Sequence, residues 1–320
     1  MKVLTYHIGD IFLDIGRKVD NLEIVPKHGP GATAVTQYSN EKWQLYNWSE
    51  RLDAVFPYDH YGIVNHNAIT DLMEDVTIHK PETEEPSRVE FVFKDLEKPR
   101  IISIEPEYNQ FVQQGLKDEL YDLIESHPIL AGQVNFTDQS INQDLAKESS
   151  IHGLMATLDL SDASNRVLLS LVEFLFSHFS SFYGAIMACR SSQARISLEG
   201  FDDEVVTLKK FAPMGSALCF PIEALCFFII STAAIMRSRG LKPSRHNFAL
   251  VAKEVFVYGD DIIVPVDEVD VVREDLEFFK LKVNLNKSFW TGKFRESCGA
   301  DYYDGNWVTP VYCRSEPPDK

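Results

Sequence analysis

Little in this chain could build a covalent scaffold. Its five cysteines (189, 219, 226, 298 and 313) show no close pairing, so neither a zinc array nor a disulfide framework is suggested. Positive charge is also scarce. Against 48 acidic residues stand 31 lysines and arginines, a formal net charge of −17. That balance excludes a protein that coats nucleic acid over its whole surface, though not one with a local basic channel. It suits a chain that gathers carboxylates around a cation. The opening stretch MKVLTYHIGDIFLDIGRKVD lacks the unbroken apolar core of a secretory signal. There is no internal repeat, and no regular βαβ succession of the kind that builds a parallel sheet.

What is present is ample core material. The chain has 320 residues, 45% hydrophobic and 25% charged, enough for one large or two modest domains and unlike a disordered protein. One run, ALCFPIEALCFFIISTAAIM (217–236), approaches the length of about 20 apolar residues that crosses a bilayer. It contains Pro221, Glu223, Ser231 and Thr232 and reads as a buried helix rather than a membrane span.

Hairpins and helices are mixed along the chain, an α+β palette. HGPGAT (28–33) is a loop, and PETEEPS (81–87) an acidic, proline-rich surface excursion. RVEFVFKD (88–95) and PRIISIEP (99–106) read as strands. Helical spacing covers 107–128, ending before His127-Pro128, and a polar helix is expected over 139–150. GLMATLDL (153–160) is a strand running into SDASN, whose cap-forming residues open a helix expected over 165–176. A helix is expected over 268–280, a strand near 281–285, and a hairpin over 293–312 around DGN (304–306).

The densest signal is FVYGDDIIVP (256–265). Apolar residues flank two adjacent carboxylates, Asp260 and Asp261, as in a strand–turn–strand hairpin with Gly259-Asp260-Asp261 at its tip. An Asp-rich tip is ordinary turn chemistry. Asp159 at the end of an apolar strand is, by itself, an ordinary helix cap. An antiparallel sheet could bring the two ends together, however. Buried carboxylates are costly unless compensated, and a divalent cation with a taste for hard oxygen ligands, magnesium above all, compensates them.

With its neighbours, YGDD (258–261) resembles the metal-binding motif of viral RNA-directed RNA polymerases. The flanking text is similar to the replicase catalytic subunit of the RNA bacteriophages, the levivirus family, from HGPGAT (28–33) to TPVYCR (309–314) and most strongly from residue 91 onward. The ordered set of a Lys/Arg cluster, LDLSDAS (158–164), MGS (214–216), YGDD and FRESCGADYY (294–303) carries the likeness; YGDD alone would be weak. The resemblance implies a right-hand fold of fingers, palm and thumb with a central antiparallel palm sheet. It implies an enzyme that copies an RNA template from nucleoside triphosphates with two magnesium ions, for which manganese can substitute.

Matched residue by residue, the resemblance makes Asp159, Asp260 and Asp261 the metal ligands and catalytic acids. Lys287 resembles the lysine that protonates the departing pyrophosphate. Lys94, Lys98 and Arg100 would line the channel by which nucleotides arrive, Arg suiting planar phosphate contacts. Ser164 stands at the ribose-sensing position, where many viral polymerases have Asp and the phage enzymes Ser. Asn165 replaces the Asp usual in the better-known phage members. Gly215 would let the backbone pass close to the template and new base pair, and Ser216 stands where the family typically has Asn. Residues 138–150 would lie near template and nucleotide, residues 294–305 near the primer end, and Arg190 is a further candidate for RNA or nucleotide contact.

The expected division is fingers over 1–152, palm over 153–292 with a fingers insertion near 177–212, and a post-palm hairpin with the start of a truncated thumb over 293–320. The family's longer chains suggest that most of the thumb and part of the fingers are absent, and that this chain is partial, a fragment or a reduced version. Implied partners are single-stranded RNA template and nascent strand, nucleoside triphosphates, host translation elongation factors Tu and Ts and a ribosomal protein, in bacterial cytoplasm and without a membrane. No base-specific reader is recognisable. Three alternatives stand beside this reading: a non-catalytic RNA-binding remnant, a reverse transcriptase-like palm (which Ser164 and Gly259 argue against), and an unrelated protein with an acidic metal turn.

Overall fold

Alternating apolar residues build four small sheets among the described residues, and helices with apolar stripes cover them. The computed structural model describes residues 1–34, 42, 45–63, 73–93, 99–198 and 200–311. In chain order the main elements are helix α1 (Gly9–Asp20), strands β1 (Asn47–Ser49), β2 (Thr77–His79), β3 (Ser87–Phe93) and β4 (Pro99–Ile104), helices α2 (Glu107–Ser126) and α3 (Ser140–His152), and strand β5 (Met155–Leu158). Helices α4 (Leu169–Phe176) and α5 (Ser180–Ala188) follow, then β6 (Gln193–Ile196), β7 (Glu204–Thr207), α6 (Cys219–Ser238) and α7 (Arg245–Ala252). The chain continues through β8 (Phe256–Tyr258), β9 (Asp261–Pro265), α8 (Val269–Phe278), β10 (Phe294–Ser297), β11 (Ala300–Tyr303) and β12 (Asn306–Trp307). Mixed helix and sheet is what the sequence leads one to expect.

Strands β5, β9 and β8 form an antiparallel sheet in that order. A mixed sheet runs β4-β3-β6-β7, and β10-β11-β12 form a meander. The first and last of these are joined: the buried Arg295 of β10 donates from Nε to the Met155 carbonyl of β5 at 2.8 Å. Beneath the β5-β9-β8 sheet lies α6. It is long and apolar enough to cross a membrane, yet nearly all of it is buried inside the fold. A helix apolar all round is a core helix in a folded protein. Pro221 sits in its first turn, where a missing N–H costs nothing. Helix α2 ends at Ser126 because His127 precedes Pro128 and is extended, at φ −71° and ψ 136°.

Three sequence expectations need correction. The helix expected from residue 165 begins at Leu169, because Val167 and Leu168 stay extended while residues 167–169 pair with 209–211: Phe211 N donates to Val167 O at 3.0 Å and Leu169 N to Lys209 O at 3.1 Å. No strand forms over 281–285. Val283 makes one isolated bridge with Leu160, and a turn closed by Lys287 N donating to Asn284 O at 3.0 Å ends the pairing. The hairpin expected over 293–312 is a meander with two tight reversals. Cys298-Gly299 (φ 50° and 72°) and Asp304-Gly305 (φ 50° and 79°) both supply the paired positive φ of a two-residue type I′ loop.

Candidate active site

The hairpin of β8 and β9 closes through the two-residue loop Gly259-Asp260, with Tyr258 opposite Asp261. Gly259 has φ 60°, and a Cβ there would lie 2.1 Å from Cε2 of Phe220 on α6. Only glycine lets the tip sit on that ring. Ile262 pairs with Leu158 of β5, so the next position in register sets Asp159 opposite Asp261. The sheet therefore brings together the three acids that lie far apart in the sequence.

Asp159 is gripped by the loop after α8. Asn284 Nδ2 donates to its Oδ2 at 2.9 Å, Asn284 N donates to its carbonyl at 2.9 Å, and its own N–H donates to Ser288 Oγ at 3.0 Å. Asp261 accepts from Cys298 N at 3.2 Å. Burial pushes the Asp261 carboxyl up to about 7, and the charges of Glu296, Asp260 and Asp159 add to that. Glu296 of β10 is itself raised, by burial and then by Asp301 and Asp159, while Lys287 lowers it. Glu223 of α6 is buried and raised well above the usual carboxylate range, first by burial and then by Asp260.

These groups form a nest of carboxylates whose mutual repulsion opposes ionisation. Such a donor set, all hard oxygen, fits a magnesium-like divalent cation. In the side-chain positions described, no three His, Cys, Asp or Glu residues already form a coordinating group; Asp159, Asp260 and Asp261 are coupled through charge.

The remaining predicted residues fall in several places. Lys287 is exposed on the loop that grips Asp159, close enough for Glu296 to feel its charge. Ser164 is buried in a 3₁₀ turn (Ser164–Arg166) against the Cys219 thiol, and Asn165 is half-buried in the same turn. Arg100 is exposed on β4, opposite Val92. Lys94 and Lys98 lie outside the described residues.

Two expectations give way. Arg190 is buried, and its guanidinium donates to the carbonyls of Phe211 at 2.7 Å and Lys210 at 2.9 Å, so it holds the 209–211 segment and does not face RNA. Gly215 makes its close approach to protein: at φ 121° its Cβ would stand 2.2 Å from the Ser103 carbonyl of β4. Gly215→Ala is accordingly expected to destabilise the fold by about 2–3 kcal/mol, read as a lower urea midpoint. Ser216 also faces inward, its hydroxyl donating to Gln113 Oε1 at 3.1 Å.

Sequence reasoning missed Glu223, Glu296, Asn284, Ser288 and Gln113. Glu223 had a signal, as the lone acid in an apolar run. Glu296, Asn284 and Ser288 become visible only when β10 and the loop after α8 are seen against β5, and Gln113 only when residues 216–217 are seen against α2.

The fold is shared with RNA-dependent RNA polymerases. A chain of an RdRp complex matches at a TM-score of 0.55 and 10% identity, covering 95% of this chain and 28% of that one. The BmCPV RNA-dependent RNA polymerase at elongation state matches at 0.54 and 11%, with the same coverage. Residues 50–317 match the family described as RNA replicase, beta-chain, and the chain belongs to that family. It is 37% identical over 221 residues to the RNA-directed RNA polymerase subunit beta of Escherichia virus Qbeta, covering 69% of this chain and 34% of that protein. To the RNA-directed RNA polymerase beta chain of Escherichia phage MS2 it is 34% identical over 211 residues, covering 66% of this chain and 34% of the relative. The chain thus spans about a third of the length of the curated relatives it matches.

Proposed function

We propose that this chain carries the catalytic core of an RNA-directed RNA polymerase that extends RNA from nucleoside triphosphates during phage genome replication in the bacterial host. The observation that carries the reading is the register of β5 and β9, which pairs Leu158 with Ile262 and so brings Asp159 to the sheet end that carries Asp261, with Asp260 in the adjoining turn. In this reading the β5-β9-β8 sheet and α6 belong to the palm, within 153–292, and the segment near 177–212 is a fingers insertion. Residues 1–152 belong to the fingers, and the meander from residue 293 lies beside the primer end.

Asp159, Asp260 and Asp261 would hold two magnesium ions. When bound, the metal lowers the pKa of the attacking 3′-hydroxyl and offsets charge on the phosphates. The chain's own part is placement. Asn284 and Ser288 keep Asp159 aimed at the hairpin tip. Cys298 N holds one oxygen of Asp261. Arg100, with Lys94 and Lys98, neutralises the triphosphate, and Lys287 gives a proton to pyrophosphate as it leaves. Ser164 and Asn165 lie toward the ribose, and Gly215 and Ser216 shape the loop that leads into α6. Catalysis is then positioning and electrostatics. Elongation factors Tu and Ts and a ribosomal protein are proposed partners on family resemblance alone.

The test is incorporation of radiolabelled ribonucleotide on a primed RNA template. Template-dependent product with magnesium, and none with chelator, is the expected result. RNA bound without any product would favour the non-catalytic RNA-binding reading.

A further inference from the structure

Helix α6 starts without a side-chain cap: Leu218 occupies the N-cap and closes on nothing. The first N–H groups of a helix need partners from outside it. Here the preceding loop supplies them, with Cys219 N donating to Ser216 O at 3.2 Å and Leu218 N to Ser216 Oγ at 3.3 Å. The loop is in turn held at Met214, whose carbonyl accepts from Ser103 N of β4 at 2.8 Å, and at residues 216–217 by a distant side chain. The carboxamide oxygen of Gln113, on α2, accepts from both Ser216 Oγ at 3.1 Å and Ala217 N at 3.0 Å. Its amide nitrogen donates to the Cys189 carbonyl, just past α5, at 2.7 Å. Gln113 is 0% exposed, so each of these bonds is made without competing water.

The loop governs what lies under the hairpin tip. The first turn and a half of α6 carry Phe220, on which Gly259 rests, and Glu223, which faces Asp260. Close-packed interiors transmit displacement rather than absorb it. A shift at residues 216–217 therefore reaches the Gly259-Asp260 turn through one rigid helix.

We propose that Gln113 is a positioning residue for the polymerase reaction: by tying Ser216 Oγ and Ala217 N to α2 it sets where α6 begins, and so where Asp260 stands. The proposal rests on the polymerase reading above. A side chain that only filled a buried polar hole would affect stability without touching turnover selectively.

The experiment uses the full chain with Gln113→Met, which keeps the length and removes the hydrogen bonds, with Ser216→Ala, and with both together. Amide hydrogen exchange is measured at Ala217, and kcat and KM in the primed-template assay. Gln113→Met is expected to speed exchange at Ala217 by about tenfold or more while leaving β9 protected. It should lower kcat by on the order of 10²-fold, the usual cost of a misplacement near 1 Å, with KM for template unchanged. Adding Ser216→Ala should cost little more, because both act through one contact.

Unchanged kcat in a folded Gln113→Met protein would overturn the proposal, as would losses that multiply in the double variant. Should Gln113→Met fail to fold, Ser216→Ala alone decides, with a lowered kcat expected and an unchanged one contradicting. If the wild-type chain makes no product, the polymerase reading fails. Exchange at Ala217 then still decides whether Gln113 holds the loop.

Discussion

Asp159→Asn and Asp260→Asn are each expected to cut nucleotide incorporation by on the order of 10³-fold or more, with RNA still retained on the protein. The two acids reach the site by different routes. Asp159 comes off the end of β5, held by Asn284 and Ser288. Asp260 comes from the loop between β8 and β9. A shared chemical task predicts similar losses from both. The replacement amides have nearly the same shape, so the fold should persist. Removing a negative charge from a cluster of like charges should leave the metal-free melting temperature unchanged or higher. A thermal melt run beside the kinetic assay separates lost chemistry from lost structure.

The second large effect is on pH dependence. In the unfolded chain Asp261 titrates near the ordinary aspartate value of 3.8, and in the fold it is pushed up to about 7 by burial and by Glu296, Asp260 and Asp159. Between those values the folded state holds a proton that the unfolded state has lost, so stability falls as pH rises. The contribution is fully present below the unfolded value and gone above the folded one. Glu223 and Glu296 are shifted in the same direction and act in the same sense. The metal-free protein should therefore melt on the order of 5–10 °C lower at pH 8 than at pH 5, and Asp261→Asn should flatten that slope. Magnesium competes with the proton for the same oxygens, so its stabilising effect should be largest above pH 7. Differential scanning calorimetry at both pH values, with and without magnesium, checks each part.

The chemistry-bearing hairpin was legible because its local pattern and its tertiary role agree. Apolar residues of FVYGDDIIVP pack inward, and Gly259 takes the one conformation that its loop position demands. The buried reading of α6 was legible for a similar reason: an apolar surface on every side has no solvated face. The onset of α4 was not, because pairing of residues 167–169 with 209–211 overrides the capping pattern of SDASN. Nor was the role of Gln113. On a helix it is one polar residue among several, and only the arrival of residues 213–217, about a hundred positions later, makes it a buried acceptor. Arg190 shows the opposite failure. A lone arginine in sequence suggests phosphate, but here its fork closes on backbone carbonyls. Signals that depend on neighbours within a few residues survive the step from sequence to structure; signals that depend on who arrives from far away do not.

The central claim is that Asp159 and Asp260 serve one cation site. Binding of manganese as a paramagnetic stand-in, followed by electron paramagnetic resonance in the wild-type chain, Asp159→Asn and Asp260→Asn, tests it most directly. A shared site predicts that both substitutions weaken manganese binding. Loss in one variant with wild-type binding in the other would contradict it and leave an acidic turn that binds metal by itself.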